Sequence, residues 1–237
     1  MEGLPGGAAA GVGAGPAAQR GGRALSVHGG RRVVLWRHGQ TLWNLEGRFQ
    51  GHTDIPLTEA GRAQAAAAAE RLASLRPAAV VSSDLSRAVV TARALADRLG
   101  LDVELDERLR ERSGGSWEGL TGAEIRAKFP EAWATWQPED GEAEGPVGER
   151  VAAAVEQATG SLGAGELVVV VGHGGAIRAG IGALLRLEQP LWRRLGPLSN
   201  CAWSVLGEPP QGYQPAGWRL LEHNAGTLPE PALSDDR

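Results

Sequence analysis

Two histidines in this chain are each followed by glycine, and each stands after an apolar run as long as a buried strand. Arg37-His38-Gly39 follows Val33-Val34-Leu35-Trp36, and His173-Gly174 comes directly after the run Leu167-Val168-Val169-Val170-Val171 and Gly172. Both imidazoles therefore fall just past the carboxyl end of a strand, where open α/β sheets bind their ligands. An imidazole there can attack phosphorus if one ring nitrogen faces the ligand and the other is held as N–H by an acceptor. A backbone carbonyl in the strand-to-loop turn can be that acceptor, and Gly39 permits the tight geometry. The oxygens of a phosphoryl group in transfer need fixed cations, because catalysis of that transfer is mostly positioning and charge stabilisation. Arg37 is adjacent. Arg87, in Ser82-Ser83-Asp84-Leu85-Ser86-Arg87, lies one turn into a helix after a second strand and can lean over the same sheet edge. His173, protonated, completes the cage. A leaving alkoxide needs a proton donor, and Glu111 in Glu111-Arg112-Ser113-Gly114-Gly115 is the candidate. In so Arg- and Gly-rich a chain no one of these is strong evidence, since a lone histidine is more often structural and a lone arginine or glutamate more often solvated. Their common placement at strand ends, loops and a first helical turn is what carries weight.

The elements that position them read as follows. Residues 33 to 36 are the first strand. Thr58 is an N-cap with Glu59 in the first turn, and the Ala-rich run from Ala60 to Leu75 continues as helix, stopping before Pro77. Residues 79 to 82 form a second strand. Asp84 starts another helix, with Leu85, Ala88, Val89, Ala92, Leu95, Ala96 and Leu99 at helical spacing and Gly100 at its end. A short strand surrounds Val103. Residues 113 to 146, with Trp117, Trp133, Trp136 and an acidic stretch from Glu139 to Glu144, read as an excursion of short helices and loop. Its tryptophans either pack in the core or offer faces to a sugar ring. A helix covers roughly Val147 to Leu162, a central strand 166 to 171, a helix Ala176 to Leu187, and late strands Cys201 to Leu206 and Trp218 to Leu221. The alternation predicts an α/β fold, a mostly parallel central sheet flanked by helices on both faces.

The chain has 237 residues and a net charge of -4, enough for one substantial domain and no general attraction to nucleic acid or anionic membrane. Lys128 is the only lysine. Cys201 is the only cysteine, which excludes an intrachain disulfide and a cysteine zinc site. No apolar stretch approaches the ~20 residues of a membrane-spanning helix, and residues 1 to 30 lack the apolar core of a signal peptide. A cytoplasmic protein is expected. Residues 1 to 30 read as a disordered Gly/Ala-rich tail, 31 to 228 as the domain, and 229 to 237 as a flexible C-terminal tail. Trp192 and Trp203 either mark a homodimer interface or belong to the core or a pocket wall.

Taken together, the motifs resemble the histidine phosphatase superfamily, with its phosphoglycerate-mutase-like fold. The matching residues are Leu35 to Thr41, Trp43-Asn44, Gly47 to Gly51, Asp54 to Thr58, Ser82 to Ala88, Thr91-Ala92, Leu109-Arg110-Glu111, Trp117 to Thr121 and Val171 to Gly175, within about residues 32 to 224. The resemblance implies that His38 is the phosphorylated nucleophile and Glu111 the proton donor. It places phosphate on Arg37, Arg87 and His173 with Asn44 assisting, and phosphate or substrate on Gln50. It implies a small phosphate ester as partner, and no metal or other cofactor, the arginines supplying the charge.

The C-terminal segments around Trp203 and Trp218 resemble the branch of actinobacterial glucosyl-3-phosphoglycerate phosphatases. Cofactor-dependent mutases carry a basic insert after the Glu111 region that holds the phosphoglycerate carboxylate. Here residues 119 to 146 offer only Arg126 and Lys128 among several acids. The expected function is thus a metal-independent phosphomonoester hydrolase working through phosphohistidine. The alternatives are a 2,3-bisphosphoglycerate-dependent phosphoglycerate mutase, an alpha-ribazole phosphatase, and a non-catalytic phosphate-binding module. A further departure is Asp140-Gly141-Glu142-Ala143, where many family phosphatases have Gly-Gly-Glu-Ser.

Overall fold

A computed structural model describes residues 29–209, 212–214 and 216–226, with Met1 and Gly3. The two expected tails lie almost wholly outside the described residues. The backbone forms one six-stranded sheet of β1 (Arg32–Arg37), β2 (Ala79–Ser82), β3 (Val103–Leu105), β4 (Leu167–Gly172), β5 (Trp203–Gly207) and β6 (Arg219–Ala225), in the order β3-β2-β4-β1-β5-β6. β3, β2, β4 and β1 pair in parallel, while β5 runs antiparallel to β1 and to β6. The mostly parallel sheet is as expected.

β1 and β4 read as unbroken apolar runs because both faces of the sheet are covered. Successive side chains point to opposite faces. Val34, Trp36, Val169 and Val171 meet α2 (Glu59–Ala73) and α3 (Ser86–Leu99) through Ala65, Ala69, Leu72, Ala88, Ala92 and Leu95. Val33, Leu35, Val168 and Val170 meet α6 (Glu144–Gly160) and α7 (Gly174–Leu184) through Val151, Val155, Ile177 and Ile181. The remaining helices are short: α1 (Leu42–Glu46), α4 (Gly122–Lys128) and α5 (Pro130–Thr135).

Several boundaries depart from the sequence reading, each for a local reason. α3 begins at Ser86 and not at Asp84, whose carboxylate is taken by Arg110 at 2.8 Å. α6 begins three residues before Val147, since Pro146 falls in its first turn, where a missing N–H costs nothing. α7 starts immediately after His173, its N-cap. β5 cannot include Cys201, whose φ of 58° is left-handed. α1 escaped the hydrophobic pattern altogether: Thr41 and Asn44 close it with a reciprocal capping box, and Gly47 ends it at φ 64°.

Trp36, Trp117, Trp136, Trp192 and Trp203 are buried in the core clusters. Trp192 and Trp203 are 5% and 7% exposed, so neither supplies an exposed dimer face. Trp117 and Trp136 are buried with Phe49 and Ile125, and Trp133 packs on them from the side. Ring centroids lie 5.2 Å apart for Trp117–Trp136 and 5.0 Å for Trp133–Trp136. In this cluster the aromatic faces serve each other, under the excursion that roofs the sheet edge.

Candidate active site

His38 leaves the end of β1, and His173 leaves the end of β4, the neighbouring strand. Parallel pairing in register, Arg37 opposite Gly172, brings the two rings to 5.1 Å between centroids. The His38 N–H donates to the Gly172 carbonyl at 3.0 Å, and the Cys201 N–H donates to the His38 carbonyl at 3.2 Å, so the backbone is held from both sides. His38 Nδ1 lies 2.7 Å from the Gly39 carbonyl. A carbonyl only accepts, so Nδ1 carries the proton and Nε2 keeps its lone pair. The glycine matters for a second reason. A Cβ on Gly39 would run into the Gly61 carbonyl at the start of α2, and a Cβ on Gly61 into the Gln40 carbonyl.

Both imidazoles are buried and held well below the usual histidine value of 6.5, first by loss of water and then by the charge of Arg87, with Arg37 adding to it. His173 is therefore neutral here, contrary to the protonated form expected from the sequence. Arg87 Nε donates to His173 Nδ1 at 3.2 Å, which puts the ring proton on Nε2, facing Ser83 Oγ at 2.9 Å. The positive charge of the site is carried by the guanidinium groups. Arg87 is fully buried, and its two terminal nitrogens donate to the Thr53 and Gly51 carbonyls at 2.8 Å each. Arg37 is 2% exposed and donates to the Leu198 carbonyl.

Asn44 reaches the site from α1. Its Oδ1 accepts from the Thr41 N–H at 3.0 Å and from Asn200 Nδ2 at 3.1 Å. Its own Nδ2 is buried with no hydrogen-bond partner among the described residues. Gln50, 2% exposed, lies with Oε1 3.0 Å from the Thr41 hydroxyl. Glu111, in the loop that follows β3, turns its carboxylate to the first turn of α7, just past His173. Its carboxyl oxygens accept from the N–H groups of Arg112 and Ala176 at 2.8 Å and of Gly175 at 3.0 Å. The fold thus gathers His38, Arg37, Arg87, Asn44, Gln50, Glu111 and His173 at one edge of the sheet. Among the described residues no group of three or more His, Cys, Asp or Glu side chains is placed to hold a metal ion.

Sequence reasoning assigned no task to Thr41, Ser83, Glu118, Arg150 or Asn200. Thr41, Ser83 and Glu118 sit inside the matching motifs, so a signal existed for them. Glu118 binds the loop that serves Arg87: it accepts from the N–H groups of His52 and Thr53 and of Gly114 at 3.0 Å, and from the Thr53 hydroxyl at 2.6 Å. The same loop's His52 Nε2 donates to the Glu111 carbonyl at 2.8 Å, as Arg150 does at 3.0 Å. Burial pulls the Glu118 carboxyl upward, but these donors outweigh it and hold the group below its ordinary value of 4.5. Its support is therefore complete at neutral pH and fades as pH falls through that lowered value. Glu118→Gln keeps one acceptor oxygen and turns an NH2 toward N–H donors. The expected loss is about 1–3 kcal/mol of stability, read by thermal melting, with the deficit from wild type narrowing in acid below pH 4.5.

Comparison with known proteins agrees with this geometry. The family model described as Histidine phosphatase superfamily (branch 1) matches residues 33–225. The glucosyl-3-phosphoglycerate phosphatase of Mycobacterium tuberculosis (strain ATCC 25618 / H37Rv) is 44% identical over 211 residues, covering 82% of this chain and 95% of that protein. The probable phosphoglycerate mutase GpmB of Enterobacter sp. (strain 638) is 35% identical over 212 residues, covering 86% and 98%. Among solved structures, a mycobacterial glucosyl-3-phosphoglycerate phosphatase in complex with VO3 superposes with a TM-score of 0.77 at 42% identity, over 83% of this chain and 100% of the other. With a matched model spanning the whole sheet and relatives of that kind in sequence and in structure, this chain belongs to the histidine phosphatase superfamily and is a phosphatase.

Proposed function

We propose that the chain hydrolyses glucosyl-3-phosphoglycerate, or a closely similar small phosphorylated metabolite of the cytoplasm, through a phosphohistidine on His38 and without a metal ion. The observation that supports this reading is the tautomer of His38, with Nδ1–H on the Gly39 carbonyl and the Nε2 lone pair beside two buried arginines. In the first step Nε2 bonds to phosphorus and the bond to the ester oxygen breaks. Arg37, Arg87 and the Asn44 amide hold the non-bridging oxygens, and Glu111, entering protonated, gives its proton to the leaving oxygen. In the second step water attacks phosphorus from the vacated side, Glu111 takes its proton, and the P–N bond breaks to release phosphate.

The relatives named for that sugar ester share more identity with this chain than the one named a probable mutase, 44% against 35%. The excursion agrees, because Arg126 and Lys128 are exposed on α4 and bring no charge to the site. The test is a coupled assay run both ways on one preparation, with and without 2,3-bisphosphoglycerate. Phosphate release from glucosyl-3-phosphoglycerate is expected to exceed isomerisation of 3-phosphoglycerate in kcat/KM. Mutase turnover above phosphate release from every ester tried overturns the assignment.

A further inference from the structure

Asp140-Gly141-Glu142-Ala143, where the sequence departs from the family pattern, docks on the loop that carries Glu111. The Glu142 N–H donates to the Ser113 carbonyl at 2.9 Å. Gly141 permits that approach, since a Cβ there would lie 2.7 Å from the same carbonyl oxygen. The Glu142 carboxylate meets Arg150, in the second turn of α6, through both of its oxygens: Nε donates to one and Nη2 to the other, at 2.7 Å each. Burial pulls the Glu142 carboxyl upward, but the bonds from Arg150 outweigh it and hold the group below its ordinary value of 4.5, so the pair is ionised at neutral pH. The rest of the guanidinium is directed at one short piece of backbone. Nη1 donates to the Arg108 and Arg110 carbonyls at 2.6 and 2.7 Å, and Nη2 to the Glu111 carbonyl at 3.0 Å. All five N–H donors of Arg150 are thereby engaged, and none is left for a phosphoryl group.

We propose that Arg150, clamped by Glu142, is the positioning residue of the general acid: it fixes the turn that aims the Glu111 carboxyl, and so sets how fast esters with poor leaving groups are cleaved. This rests on the reading of Glu111 as the proton donor. The 3-10 turn Glu107–Leu109 cannot supply partners for its own last carbonyls. Three carbonyl oxygens aimed at one point repel one another unless a cation lies between them, and Arg150 is that cation. Glu111 is thus gripped from two sides, its carbonyl from α6 and its carboxyl from the first turn of α7. Without the guanidinium the three carbonyls spread, and the backbone that carries the acid moves with them. Guanidinium is suited to the task because its planar fork binds a carboxylate on one edge while the remaining donors point away from it.

The experiment measures kcat/KM for an aryl phosphate and for the alkyl ester that wild type turns over fastest among glucosyl-3-phosphoglycerate, 3-phosphoglycerate and glycerol 3-phosphate. Wild type, Arg150→Lys, Glu142→Gln, Glu111→Gln and the double variant Arg150→Lys with Glu111→Gln are compared well below their melting midpoints. A lysine keeps the charge but not the planar fork that joins Glu142 to three carbonyls. Arg150→Lys is expected to lower the alkyl-to-aryl ratio by about tenfold or more, since a misplaced catalytic group costs up to about 10²-fold. Glu142→Gln should lower it less, in the same direction. In the Glu111→Gln background Arg150→Lys should leave the ratio unchanged, because no acid remains to be aimed. An Arg150→Lys ratio equal to wild type overturns the proposal, as does a further fall of the same size in the double variant; a brace that only held the fold would slow both esters alike. Should Arg150→Lys fail to fold, Glu142→Gln decides alone by the same ratio. Failure of the Glu111 reading would look different and would take the proposal with it: Glu111→Gln itself would leave the ratio unchanged.

Discussion

His38→Ala is expected to fold as the wild type does and to lose on the order of 10⁴-fold or more in kcat, because the variant has no atom to receive the phosphoryl group. The imidazole is 3% exposed, but it closes the site and not the apolar core, so its removal leaves a polar space that water fills. β1 remains held by its ladders to β4 and β5. Wild type quenched during turnover should carry an acid-labile, base-stable phosphate that maps to His38 and is absent from the variant. The acid limb of kcat/KM follows from the same geometry. His38 must be neutral to attack, and burial with two neighbouring arginines holds it neutral well below 6.5. Lowering the pH through 6.5 should therefore not by itself extinguish the nucleophile. A His38→Ala protein with near wild-type turnover would sink the mechanism.

Glu111→Gln is expected to separate substrates by their leaving groups. A sugar or glycerate alkoxide must be protonated as it departs, and loss of a positioned general acid costs about 10²–10⁴-fold. An aryl phosphate leaves as a stabilised phenolate and should lose no more than about a tenth of that factor. The substitution also places an amide NH2 among the Arg112, Gly175 and Ala176 N–H groups that now meet two carboxyl oxygens. A lower melting temperature should accompany the kinetic effect, and it would be the same whichever substrate is used. Steady-state kinetics with one natural and one aryl ester make the comparison. Equal losses on both would remove Glu111 from the role of acid.

Much of this protein was legible before any coordinates. Unbroken apolar runs at 33–36 and 167–171 announce strands covered on both faces, and histidine after each run puts two imidazoles at one sheet edge. Thr58 announces the start of α2, and the Leu and Ala spacing announces α3, because caps and periodicity are local properties written in adjacent residues. Tertiary structure decided what depends on partners far along the chain. Asp84 failed as a helix start because Arg110, 26 residues away, takes its carboxylate. His173 is neutral because the fold buries it and brings the cationic Arg87, 86 residues distant, against its Nδ1. The tryptophans of the excursion face one another because a small cluster off the main core has to fill itself. Arg178 looks in sequence like one more cation on a helix, and only the packing of α7 against α6 buries it, 3.7 Å from Glu144. Local propensity and hydrophobic alternation are encoded over a few residues, whereas desolvation and charge pairing are properties of neighbours in space, which the chain acquires only when it folds.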